Sequence, residues 1–125
     1  MVLLVLLTAG CGAGPEQLNA IGEKHAAEWA RTESDDEFRW AARMFNEASQ
    51  LEPTNPKYFY NLGTLLAQAR CYKAAIGHLE RAVKLNPNDE NARNNLEYVK
   101  EALAKGQNEC DERLTPSSFL GYVSP

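Results

Sequence analysis

Residues 56–89, PKYFYNLGTLLAQARCYKAAIGHLERAVKLNPND, decide how this 125-residue chain is read. Phe59, Leu62 and Leu66, then Tyr72, Ala75, Ile76, Leu79, Ala82 and Val83, recur three and four residues apart, a spacing that gathers apolar side chains on one face of a helix. Two amphipathic helices are expected. Gly63, Ala75 and Ala82 are small where larger residues would hold the backbones apart, which suits an antiparallel pair in close contact. Asn55 before Pro56 supplies an N-cap followed by proline at the first helical position, and Asn86-Pro87 ends the second helix.

The stretch resembles the tetratricopeptide repeat over all of its 34 residues. Phe59, Leu62, Gly63 and Leu66 take the first-helix positions of that pattern, and Tyr72, Ala75, Leu79, Ala82 and Pro87 those of the second. One repeat cannot bury its apolar face alone, so its neighbours should carry the same pattern. Counting 34 residues back from Ala75, Leu79, Ala82 and Pro87 reaches Ala41, Phe45, Ala48 and Pro53. The first helix matches only with seven extra residues, which set Pro15, Leu18, Ile21, Gly22 and His25 against Pro56, Phe59, Leu62, Gly63 and Leu66. Seven residues are about one turn on each arm of an antiparallel hairpin. Residues 15–55 therefore read as a lengthened first repeat, with helices near 16–32 and 35–51, and with Ser34 and Glu37 as a capping box. His25 is expected to pack against or cap the core stripe. Trp40 and Met44, one turn apart beside that stripe, read as an exposed apolar pair. After Asp89, Ala92, Leu96, Val99 and Leu103 mark one further helix over 90–105, stopped at Gly106, which reads as a capping helix. The fold expected is thus all-α, with tetratricopeptide-type helix pairs and a C-terminal cap. Residues 106–125 read as a mobile tail, with one apolar run at Phe119–Val123.

Charge sets limits on partners. The net value is -4, divided as -5 over residues 15–55, +3 over 56–89 and -2 over 90–125. A basic patch that small, flanked by acidic segments, does not suit nucleic acid, and a solvated helix surface accounts for it. No phosphate-binding glycine loop, nucleophile elbow, HExxH motif or metal-ligand spacing occurs, so neither catalysis nor a cofactor nor a small-molecule substrate is expected.

At the N-terminus, MVLLVLLTAG over residues 1–10 is apolar but too short to span a bilayer as a mature helix. It suits the core of an export signal. Thr8-Ala9-Gly10-Cys11 resembles the cleavage box of bacterial lipoproteins, in which the cysteine is lipidated and becomes the new N-terminus. Thr8 stands where leucine is usual, and no Lys or Arg precedes the run, a departure that an internal start would explain. The alternative is a short apolar N-terminus of some other use. With Cys11 lipidated, Cys71 and Cys110 remain. They read as two unpaired thiols, since nothing local fixes the path of the tail; a disulfide in an oxidising compartment is the alternative.

The resemblance implies a right-handed stack of helix pairs whose first helices line a concave surface that binds protein segments. Carried over to this chain, the lining is Asn19 and Glu23, then Lys57, Tyr60, Asn61, Thr64 and Gln68, then Asn94 and Tyr98. The basic clamp by which some members grip a chaperone's C-terminal carboxylate needs Lys and Arg where this chain has Asn19, Glu23, Asn94 and Tyr98. Only Asn61 agrees, so that ligand class is excluded. The function implied is a lipid-anchored adaptor at a bacterial envelope membrane, holding a partner protein. The alternative is an accessory subunit that packs permanently through its convex side or an end face.

Overall fold

The computed structural model describes residues 12–114, and the proposed leader, Cys11 and Phe119–Val123 lie outside them. Among the described residues five helices follow one another: α1 Pro15–Thr32, α2 Asp35–Leu51, α3 Pro56–Gln68, α4 Tyr72–Leu85 and α5 Glu90–Ala104. A short 3-10 turn at Glu112–Leu114 comes after them. The helices pack as antiparallel hairpins, α1 on α2 and α3 on α4, with α5 laid against α4. Among the described residues no helix is long and apolar enough to cross a membrane.

Both hairpins close through the same contact. A Cβ added at Gly63 would lie 2.7 Å from the Leu79 Cγ, and one at Gly22 would lie 2.6 Å from the Phe45 ring. Leu79 and Phe45 are 34 residues apart, so one small-on-large pairing recurs at the repeat period. The first hairpin is the longer one: α1 and α2 have 18 and 17 residues where α3 and α4 have 13 and 14. Trp29 meets Phe38 edge to face in the added turn, with ring centroids 5.1 Å apart, and Phe38 is fully buried.

Helix ends follow the sequence at most places. Asn55 Oδ1 accepts from the Lys57 N–H, Asp89 caps the Ala92 N–H, and the chain leaves α4 at Asn86. Gly106 has φ 74°, with the Gly106 and Gln107 N–H groups donating to the carbonyls of Leu103 and Ala102. That is a Schellman ending at a glycine. The Ser34 capping box is absent. Ser34 is the N-cap residue of α2, but its hydroxyl makes no cap hydrogen bond. Glu37 turns to the imidazole of His25 instead, because the added turn of α1 brings a partner within reach of that carboxylate.

Three other expectations are corrected. Met44 is buried at 8% exposure with Leu18, Ala48 and Tyr58, because α1 reaches over it, whereas Trp40 stays 49% exposed. Cys71 and Cys110 form a disulfide, with Cα atoms 4.4 Å apart. Residues 107–114, expected in a mobile tail, form a strap returning from α5 to the α3–α4 turn and on to α2. Asn108 Oδ1 accepts from the Lys73 N–H, Glu109 pairs with Arg70, Arg113 with Asp35, and Leu114 is buried in the main core. The first hairpin extends past the second, and Leu114 packs near the start of α2, where that added turn needs cover.

Candidate ligand cleft between α3 and α5

Side-chain hydrogen bonds join the first helices in order. Between α1 and α3, Asn61 donates to Asn19 Oδ1 at 2.7 Å, while Asn19, only 2% exposed, donates on to Glu23 at 3.0 Å. Beside them Lys57 pairs with Glu16, and the buried Tyr58 hydroxyl donates to Glu16 Oε1 at 3.1 Å, with Glu52 close by. Burial and these two carboxylates push the Tyr58 phenol up to about 12. The bond from Tyr58, and then Lys57, holds Glu16 below its usual value. These groups satisfy one another, which makes the α1–α3 junction a polar seam.

Between α3 and α5 the surface opens. A cleft of about 300 Å³ is lined by Thr64, Ala67, Gln68, Arg70, Tyr72, Asn95 and Tyr98. Asn95 donates to Thr64 Oγ1 at 3.0 Å across its floor. The Tyr72 and Tyr98 hydroxyls share a hydrogen bond at 3.3 Å, their rings edge to face at 5.9 Å. The shared bond, more than burial, raises the Tyr72 phenol. A second lobe of about 220 Å³ continues past Arg70, Tyr72 and Tyr98 to Gln107 and Glu109 of the strap.

Arg70 holds an unusual place. It sits at φ 63°, and the N–H groups of Arg70 and Cys71 donate to the carbonyls of Ala67 and Leu66, the same Schellman geometry that Gly106 adopts after α5. A left-handed arginine costs roughly 1–2 kcal/mol where glycine would cost little. The retained side chain reaches Glu109 at 2.8 Å.

Of the nine lining residues carried over from the repeat pattern, Thr64, Gln68 and Tyr98 meet in this cleft. Asn19, Glu23, Lys57 and Asn61 belong to the polar seam. Tyr60, half-buried, and Asn94, exposed, lie outside the cleft. The missed residues are Ala67, Arg70, Tyr72 and Asn95. A signal for Asn95 was present: the 34-residue step that carries Thr64 to Tyr98 carries Asn61 to Asn95, and Tyr60 to the outlying Asn94. Tyr72 was read as core, and it is core on one side and cleft wall on the other. Among the described residues no His, Cys, Asp and Glu cluster has the makings of a metal site.

No curated protein matches the chain. The family model described as tetratricopeptide repeat matches residues 56–89, which are α3, α4 and the turn into α5. By that match and by the helix hairpin it spans, residues 56–89 form a tetratricopeptide repeat.

Proposed function

We propose that this protein is an adaptor that holds a segment of a partner protein in the α3–α5 cleft while a lipid on Cys11 tethers it to a bacterial envelope membrane. The observation that carries the reading is the cleft itself: Tyr72, Tyr98, Arg70, Thr64 and the amides of Gln68 and Asn95 line one space. Tyrosines give rigid contact area at little entropic cost, and side-chain amides match the donors and acceptors of an extended backbone. The repeat family supports a protein as the partner class. The Cys71–Cys110 disulfide supports an oxidising compartment, as an exported protein would meet. No reaction is proposed.

A second reading has its own support. Trp40 is 49% exposed beside His25, and Ile21 is also exposed, which gives the first hairpin an apolar edge of the kind an accessory subunit would bury in an assembly. A pull-down from membranes with the full chain separates the two. Tyr98→Ala is expected to weaken partner capture at least about tenfold while membrane fractionation persists, and Cys11→Ala to abolish fractionation. Full capture by Tyr98→Ala, with loss in Trp40→Ala, would favour the accessory subunit.

A further inference from the structure

Two features of the cleft are not explained by packing. Arginine occupies a left-handed turn position that favours glycine, and its guanidinium is engaged by a carboxylate that the chain delivers from 39 residues away. Gln107 to Glu109 has no regular structure and runs past Tyr72 and Tyr98 in the second lobe. It is held on one side by the Asn108 cap of α4 and on the other by the Cys71–Cys110 disulfide. Arg70 and Glu109 are the charged residues lining the two lobes. With Glu109 moved aside, the cleft would be lined by one positive group, two aromatic rings, neutral amides and a hydroxyl.

We infer, resting on the reading of the cleft as the partner site, that the partner segment is acidic and that its side-chain carboxylate replaces Glu109 on Arg70. The strap is then a resident copy of the ligand. Glu109 shows the chemistry Arg70 takes, an Nη1 to carboxylate contact at 2.8 Å, and residues 107–109 show how an unstructured chain lies beside the tyrosines. Both partners of the present pair are well exposed, so the contact is weak and readily exchanged in water. The disulfide keeps Glu109 at hand and so reduces apparent affinity by the fraction of time Arg70 is occupied. This site is distinct from the basic clamp excluded above: Arg70 lies in the turn after α3, and a mid-chain acidic side chain, not a chain terminus, meets it.

The test uses the oxidised full chain and two end-capped pentapeptides, Gly-Ser-Glu-Tyr-Gly and Gly-Ser-Gln-Tyr-Gly, titrated to millimolar concentration and followed by nitrogen–proton spectra. The glutamate peptide is expected to shift the Arg70, Asn95 and Tyr98 signals and to bind several-fold more tightly than the glutamine peptide. Glu109→Gln, which keeps the disulfide, should tighten the glutamate peptide about two- to fivefold, the factor an exposed ion pair supplies. Arg70→Gln should erase the preference between the peptides. Equal binding of both peptides to the wild type, or no gain in Glu109→Gln, overturns the inference. If the peptides bind equally and Tyr98→Ala abolishes both, the cleft remains the partner site and only the acidic preference falls. Absence of binding by either peptide counts against both.

Discussion

Gly22 and Gly63 are the residues that let the paired helices of each hairpin approach closely. A methyl group at position 63 would meet the Leu79 side chain at 2.7 Å and its backbone nitrogen at 3.2 Å, so α3 and α4 must part to admit it. Gly63→Ala is expected to cost about 1–3 kcal/mol in urea unfolding, the usual range for overpacking, despite the better helix propensity of alanine. Caps give a sharper contrast. Asn55 accepts a backbone hydrogen bond and Ser34 does not, so Asn55→Ala should cost about 1 kcal/mol and Ser34→Ala under about 0.5 kcal/mol. Equal losses would show that the Ser34 hydroxyl caps α2 in solution. His78 gives a pH signature. Burial lowers its folded-state pKa, so the unfolded chain binds the proton more readily. The stability this group contributes is whole above the ordinary histidine value of about 6.5 and declines as pH falls below it. Thermal melts from pH 8 to pH 5 should show a larger loss in the wild type than in His78→Gln; matching losses would remove His78 from the account. Small residues and caps of this kind can be read from sequence because they act within a turn or one repeat period. The Ser34–Glu37 box failed for a nonlocal reason, since His25 on another helix competes for Glu37.

At the scale of elements, the strap is what the sequence did not disclose. Helical periodicity identifies α5 and its Gly106 stop, but the direction of the chain afterwards depends on a left-handed turn, an overhanging first hairpin and a cysteine 39 residues away in sequence. Polar composition hid the order, because residues 107–113 are held by two ion pairs to the helices, a cap and a disulfide, and Leu114 supplies a buried apolar anchor. Closing a loop of that length gives about 4 kcal/mol by the chain-entropy account, at the upper end of typical values. Reduction, or Cys110→Ser, is therefore expected to lower the unfolding free energy by about 2–4 kcal/mol and to expose the amides of 107–114 to hydrogen exchange before those of the helices. Uniform loss of protection along the chain would mean that the strap and the helices unfold as one unit. Asp111 has its carboxyl held down to about 2 by Arg113, so its bond to the strap arginine persists in acid until that range is reached.

Across the described residues, the α1–α3 and α3–α5 junctions differ in a way the repeat pattern did not indicate. Asn19, Glu23, Lys57 and Asn61 satisfy each other between α1 and α3, whereas the same side between α3 and α5 leaves a cleft. The difference lies in the partners: α1 presents a buried asparagine to Asn61, and α5 presents Tyr98 and Asn95 with space beneath them. The adaptor reading hinges on that opening. Its most direct test places a photo-crosslinking amino acid in the full chain in living cells, once at Tyr98 in the cleft and once at Trp40 on the first hairpin. The account predicts that light captures a discrete partner protein from position 98 and none from position 40. Capture from position 40 with none from position 98 would contradict it.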